Sequence, residues 1–241
     1  MTAELSSETR LGGLPISGGT AHVLGISTSP RADGNSDLLL REALGGAESA
    51  GARCEYLGLR GLQIGPCDEC YTCARTGRCC IDDDFDGVLE KILAADRLVV
   101  ATPVFFMAVS AQAKLLIDRC QCLWAQKYLL RQPLFADGPR DRRALVIAVG
   151  GSKSRKMFDG VRMTMKYWFD ALEMAHVASL FVNQVDGAGD VRRHPRALAE
   201  ARRLGAALAD VAAPVSAKPT EVELFDGLAA GARPMEAADG C

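Results

Sequence analysis

The sequence predicts an α/β fold built on a doubly wound parallel sheet, and three observations lead there. Apolar runs of strand length alternate with helical patterns five times along the chain, the signature of parallel strands joined by right-handed crossovers. The third run, residues 97–103, is apolar almost throughout, as a strand covered on both faces must be. A turn-rich polar loop, an apolar loop and a glycine-rich loop follow the first, third and fourth runs, and a doubly wound sheet gathers its ligands beyond the carboxyl ends of its strands.

A length of 241 residues suits one large α/β domain with tails, and a 49% hydrophobic content is enough for a sizeable core. We read residues 1–20 as a polar, glycine-rich arm, 21–212 as the domain and 213–241 as an irregular Ala/Pro/Gly-rich tail. The net charge of −2 supplies no field for nucleic acid or an acidic membrane surface. No run is long enough to span a bilayer, and the first twenty residues lack the apolar core of a signal peptide. These features predict a cytoplasmic protein whose thiols stay reduced, with neither nucleic acid nor membrane as partner.

Residues 21–26 read as a buried first strand. It runs into a loop carrying Ser27, Ser29, Arg31, Gly34, Asn35 and Ser36, and then into a helix with Leu38, Leu39, Ala43, Leu44 and Ala47 on one side. A strand, a polar loop and a helix start form an anion site, because free backbone amides and the helix dipole face the loop. The alternative is an ordinary capped βα turn. The loop is neither a P-loop nor a G-x-G-x-x-G dinucleotide loop.

Residues 53–59 read as the second strand and 85–95 as a helix capped by Asp83 or Asp84. The third strand ends in Pro103, Val104, Phe105, Phe106 and Met107. Apolar groups in a loop that would otherwise face water fit the wall of a flat cofactor pocket or a subunit contact. A helix over 110–124 carries Cys120 and Cys122, whose spacing points them to different sides, and both read as packing residues, the alternative being that one of them lies near the cofactor. Residues 126–143 read as a basic loop. The fourth strand, 144–149, ends in Gly150 and Gly151, where a backbone without side chains admits close approach of a ligand. A helix over 157–174 with an aromatic stripe, a fifth strand over 176–185 and a helix over 195–212 complete the domain. His176 and His194 read as structural.

Between the second strand and its helix lie Cys67, Cys70, Cys73 and Cys79, spaced C-x2-C-x2-C-x5-C within a loop of residues 66–82. Four thiolates so close in sequence suit zinc or an iron–sulfur cluster. The alternatives are a disulfide framework, a bare redox dithiol, or thiols that simply pack. One phosphate cradle beside two apolar or glycine-rich loops suits a mononucleotide with a large flat ring, and flavin mononucleotide (FMN) fits better than a dinucleotide.

Three segments carry a resemblance. They are Ser27-x-Ser29-Pro30-Arg31-x-x-Gly34-Asn35-Ser36-x-Leu38, the cysteine run ending Gly77-x-Cys79-x-Ile81-x-Asp83-Asp84, and the stretch from Thr102 through Pro103, Val104, Phe105, Phe106, Ser110 and Lys114 to Asp118-Arg119. Together they resemble the NADPH-dependent FMN reductase superfamily and, within it, the iron–sulfur flavoproteins. The resemblance implies a flavodoxin-like five-stranded sheet of order 2-1-3-4-5. It implies FMN with its phosphate in the Ser27–Ser36 loop and its ring against Pro103, Val104, Phe105, Phe106, Gly150 and Gly151. It also implies a [4Fe–4S] cluster on Cys67, Cys70, Cys73 and Cys79, and a homodimer or homotetramer with both groups near subunit contacts. Cys80 takes no ligand role in that pattern. Phe105 stands where the pattern often has Tyr, and the loop Gly150–Arg155 is more basic than expected.

The expectation is therefore an FMN-dependent oxidoreductase passing electrons between a [4Fe–4S] cluster and FMN, with ferredoxin or NAD(P)H as electron donor. No side chain stands out as a general base. One alternative is an NAD(P)H-dependent FMN or quinone reductase without a cluster. Another is a non-catalytic ligand-binding module with a zinc-structured cysteine loop.

Overall fold

The computed structural model describes residues 20–227. The expected arm over 1–20, apart from Thr20, lies outside the described residues, as does Cys241. In chain order the elements are β1 (His22–Ser27), α1 (Asn35–Ser49), β2 (Arg53–Gly58), α2 (Cys73–Thr76), α3 (Phe85–Ala94), β3 (Arg97–Pro103), α4 (Ala111–Arg119) and α5 (Gln121–Trp124). They continue with β4 (Arg143–Val149), α6 (Asp159–Ala171), β5 (Ala175–Val182), α7 (Ala197–Ala209) and β6 (Thr220–Leu224). The strands form one parallel sheet of order β2-β1-β3-β4-β5-β6, the doubly wound flavodoxin-like topology.

Alternate residues of each central strand feed opposite layers. Leu24, Leu98, Val100, Ala144 and Val146 pack under α3, α4 and α6 with Phe85, Leu116, Phe158, Trp168 and Phe169. Val23, Val99, Leu145, Ile147 and Leu180 pack under α1 and α7 with Leu40, Leu44, Leu204 and Leu208. A strand buried on both faces has no polar side, which explains the unbroken apolar runs. The second layer is tight. A Cβ on Gly205 of α7 would stand 1.8 Å from the carbonyl oxygen of Ala43 in α1, and one on Gly46 would stand 2.0 Å from that of Arg202. The two helices touch backbone to backbone at these glycines.

Three departures from the sequence expectation have local causes. The sheet has six strands rather than five. β6 forms inside the segment read as an irregular tail, where Thr220–Leu224 is short, charged and follows Pro219. Its Glu221 and Glu223 pair with Arg162 of α6, and Glu223 also pairs with Arg155. The long helix over 110–124 is interrupted at Cys120 and runs on as a π-turn through Leu129, so the basic loop begins later than expected. The helix over 157–174 starts as a 3-10 turn, Arg155–Phe158, before α6.

The cysteine loop is docked by one buried ion pair. Asp83 accepts from the backbone amide of Phe85 at 2.9 Å, so it caps α3 as expected. It also accepts from the amide of Gly65 at 2.8 Å and from two nitrogens of Arg119 at 2.7 and 3.2 Å. Asp84 accepts instead from the amide of Gln63 at 2.6 Å. The guanidinium of Arg119, at the end of α4, is fully buried and donates further to the carbonyls of Gly65 and Ile81. Both ends of the cysteine loop therefore converge on one charge. Burial by itself would raise the Asp83 carboxyl, but the hydrogen bonds from Arg119, Gly65 and Phe85 outweigh it and hold the carboxyl below its ordinary value.

Two expectations follow for stability. Gly205→Val should lower the urea midpoint by the equivalent of about 1–3 kcal/mol, because the added side chain meets backbone rather than a side chain that can turn away. Asp83→Asn should cost about 3 kcal/mol by leaving the Arg119 charge buried and unpaired. A carboxyl depressed in the folded state contributes stability above its ordinary range near 3.8 and loses it as pH falls through the folded value. Hydrogen exchange of residues 63–85 should therefore speed up selectively below about pH 4 in the native chain. An unchanged exchange pattern in acid would show that Asp83 does not hold the loop.

Candidate functional site

Two cavities lie along the carboxyl edge of the sheet. The first is a cleft beyond β1, β3 and β4, with the start of α1 at one end. Its walls include Ser29, Pro30, Arg31, Gly34, Asn35, Ser36, Pro103, Val104, Phe105, Gly150 and Gly151, and it encloses about 100 Å³. These residues come from three separate loops, which the sheet order brings together. Thr28 ties β1 to β3 through its amide and hydroxyl, both donating to the carbonyl of Ala101 at 2.9 and 3.1 Å. Ser110 donates to the carbonyl and hydroxyl oxygens of Thr28, accepts from the amide of Ala113 to cap α4, and donates its own backbone amide to the hydroxyl oxygen of Thr102. The sequence reading took Ser110 as the start of a helix and as part of the resembling stretch, without a role of its own. In the structure it locks the two loops that would flank a flavin.

At the phosphate end, α1 starts at Gly34 in extended conformation with no side-chain cap, so its first amides face the loop without an internal partner. Ser29 accepts from the Arg31 amide and donates to the Arg31 carbonyl, turning the loop back toward the helix start. A Cβ on Gly34 would stand 2.8 Å from the Ser29 hydroxyl oxygen, so a side chain there would fill the cradle. Asn35 departs from its expected role as a phosphate donor. Its side-chain amide donates to the carbonyl of Gly187 at 2.8 Å and its oxygen accepts from the amide of Val191 at 3.1 Å. It fastens the cradle to the loop after β5. Ser27 lies beyond the cleft, on the wall of a neighbouring cavity of about 260 Å³ that shares Ser29 and Arg31.

At the ring end, Gly150 and Gly151 leave room that side chains would take. A Cβ on Gly150 would meet the Met157 sulfur at 2.8 Å, and one on Gly151 would meet the Asp186 carboxyl at 3.0 Å. Of the basic residues after them, neither Lys153 nor Arg155 lines the cleft, and Arg155 is paired with Glu223. Phe105 lines the cleft and is 47% exposed, so one wall faces solvent. Phe106 does not line it. Phe105 and Ala108 exchange both backbone hydrogen bonds at 3.0 Å, which makes Phe106 and Met107 the two corner residues of a tight hairpin. Both have left-handed backbones, with φ of 47° and 64°, where glycine or asparagine normally sits. The turn throws the Phe106 ring outward, fully exposed.

The second cavity, of about 540 Å³, is lined by Cys67, Cys70, Cys73, Cys79 and Cys122, with Arg119 and Trp124. All four expected cysteines are among the residues that line it. A short helix, α2, carries Cys73 and ends at Gly77 in left-handed conformation, which turns the chain back toward Cys79. Arg119 donates to the Cys79 sulfur at 3.2 Å. Burial and then the neighbouring Cys67, Cys79 and Cys70 push the Cys73 thiol up. Cys122 is buried and also borders this cavity, so it is the one of the two helix cysteines that lies near the thiol set. Burial pushes it and Cys120 up to about 12, so both remain thiols at neutral pH.

Among the described residues no three His, Cys, Asp or Glu side chains close to the geometry of a single metal ion. That geometry is what a zinc-structured loop requires. A four-iron cluster has one thiolate on each iron, so it spaces its sulfurs around a larger body and needs a wide cavity. The donor set, the cavity volume and the N–H contact to Cys79 fit such a body. The cleft likewise fits FMN, through its uncapped helix start and its glycine-bared floor. No helix among the described residues is long and apolar enough to cross a membrane.

Comparison with known proteins agrees with this geometry. The model of the family described as NADPH-dependent FMN reductase matches residues 21–186. Over 197 residues the chain is 32% identical to an iron-sulfur flavoprotein of Methanocaldococcus jannaschii, covering 78% of this chain and 96% of that one. Over 182 residues it is 30% identical to a Bacillus subtilis protein provisionally named an NAD(P)H-dependent FMN-containing oxidoreductase, covering 74% of this chain and 93% of that one. Among solved structures, an NAD(P)H:quinone oxidoreductase of Methanothermobacter marburgensis superposes with a TM-score of 0.59 at 19% identity, over 79% of this chain and 98% of that one, a likeness of fold. The chain is thus a flavin-dependent, FMN-binding oxidoreductase and belongs to the NADPH-dependent FMN reductase family.

Proposed function

We propose that the chain is an NAD(P)H-dependent FMN or quinone reductase, working at the cleft beyond β1, β3 and β4. FMN, when bound, supplies both two-electron and one-electron exchange. The α1 amides, Ser29, Ser36 and Arg31 hold its phosphate, and Pro103, Val104, Phe105, Gly150 and Gly151 flank its ring. The observation that carries this reading is the half-exposed Phe105 wall beside a glycine floor: it leaves one side of the cleft open to a second flat molecule. The names of the Bacillus and Methanothermobacter proteins accord with a nicotinamide donor and a quinone-type acceptor. No side chain of the cleft is placed as a general base, and none is needed for hydride exchange.

A second reading rests on the cysteine cavity. The four thiols, the buried Arg119 and the Methanocaldococcus relative's name favour a [4Fe–4S] cluster on Cys67, Cys70, Cys73 and Cys79. Such a cluster would supply one-electron exchange with a partner such as ferredoxin. Arg119 would place a fixed positive charge and an N–H donor beside its sulfur ligands, raising its potential. The non-catalytic module is set aside because the matched family is one of reductases.

We also place a second copy of the chain against the exposed apolar face formed by Phe106, Met107, Met163 and Tyr167. The Met107 carbonyl sits directly over Gly160 at the start of α6, so the hairpin and the outer face of α6 form one surface. This accords with a homodimer or homotetramer.

Three measurements check these readings. Arg31→Ala should weaken FMN about tenfold, the loss of one charge-assisted hydrogen bond, and leave riboflavin binding unchanged because riboflavin carries no phosphate. Equal loss for both ligands would remove Arg31 from the phosphate site. Anaerobic NADPH should bleach the flavin absorbance of the purified protein, with iron and sulfide assayed on the same sample. Bleaching without iron supports the reductase alone, whereas about four irons per chain supports the second reading. In sedimentation velocity, Tyr167→Glu should shift the native assembly to monomer, and an unchanged sedimentation coefficient would rule out that face.

A further inference from the structure

Cys80 belongs to no role so far assigned, yet its sulfur lies 3.4 Å from that of Cys70. Both residues are exposed, unlike the buried Cys120 and Cys122. Their approach is built by the loop. The Thr76 hydroxyl donates to the carbonyls of Thr72 and Arg78 and accepts from the Arg78 amide, closing the turn after α2. Gly77, with a left-handed backbone, reverses the chain there. Residues ten apart in sequence are thereby held face to face. A disulfide would shorten this contact to a sulfur–sulfur bond of about 2.05 Å, between two side chains that both lie exposed.

We propose that Cys70 and Cys80 form a reversible redox pair that hydrogen peroxide converts to a disulfide. One thiolate attacks a peroxide oxygen, the O–O bond breaks, and a sulfenic acid and water result. The sulfur of the partner thiol then displaces the hydroxyl as a second water, and the S–S bond forms. The two thiols are oxidised by two electrons, peroxide is reduced by two, and both thiol protons end in water. A thiol reductant reverses the step by exchange. The pair stands on its own geometry and forms where Cys70 is a free thiol, so a cluster held by Cys70 and this disulfide exclude one another. Its consequence for that cavity is direct, since the disulfide withdraws Cys70 from the thiol set.

The test uses the full chain purified without oxygen, one portion as isolated and one stripped of metal by a chelator under reducing conditions. Each receives one equivalent of hydrogen peroxide, free thiols are blocked with N-ethylmaleimide, and tryptic peptides are weighed. Cleavage at Arg75 and Arg78 puts the two cysteines on separate peptides, 61–75 and 79–91. The stripped protein should yield these two peptides joined, lighter by two hydrogens and separated again by dithiothreitol. The join should persist in Cys79→Ser and vanish in Cys80→Ser, where dimedone should instead trap a sulfenic acid on Cys70. Joining in the stripped portion supports the pair, whether or not the isolated portion also reacts. A join that survives Cys80→Ser, or alkylated Cys70 and Cys80 in the stripped protein after peroxide, would overturn it.

Discussion

Arg119 is the residue on which the two halves of the functional edge depend. It sits at the end of α4, on the layer that packs under the sheet, and its guanidinium is wholly removed from water. A charge so placed must be paired and fully hydrogen-bonded or it destabilises the fold by several kcal/mol, of order 3–5. Asp83 and the carbonyls of Gly65 and Ile81 meet that requirement, and all three belong to the segment flanking the cysteines. The remaining N–H of Arg119 falls on Cys79. A single buried cation therefore fixes the loop, caps α3 through its partner carboxylate, and touches the thiol cavity. The cysteine loop has few apolar side chains to bury, so this ion pair does what a hydrophobic contact does elsewhere in the domain.

The flavin cleft is organised by uncharged hydrogen bonds. Thr28 and Ser110 knit the ends of β1 and β3 to the start of α4, and Asn35 fastens the phosphate end to the loop after β5. These contacts are internal to the protein, so the loops are held in position before a ligand arrives. Preorganisation of this kind lowers the ordering cost of binding. The glycines at positions 34, 150 and 151 act by absence, since each lacks a Cβ where one would collide with the wall or floor.

The hairpin at Phe106 and Met107 stores strain in the same region. Two left-handed non-glycine residues in succession cost about 1–2 kcal/mol each. The packing that sustains them runs through the Met107 carbonyl onto Gly160. What the strain achieves is placement: an aromatic ring and a thioether stand in solvent beside the cleft, continuous with the outer face of α6.

Most of the architecture was legible in the chain because apolar periodicity is local. The five central strands, their helices and the clustering of loops at one edge follow from runs a few residues long, and the cysteine spacing is itself a local signal. What needed the folded molecule were pairings distant in sequence. β6 is a short charged strand held by Arg162 and by pairing to β5, and nothing in Thr220–Leu224 alone announces it. Asn35 looks like a phosphate donor until Gly187 and Val191 are brought to it, and Phe106 looks like a pocket wall until its left-handed backbone turns it out. Cys122 reaches the thiol cavity, and Cys80 reaches Cys70, only after the loop has folded against Arg119. Periodicity records which residues must leave water. It does not record which polar groups will meet, because their partners are chosen by the crossing of separate elements in space.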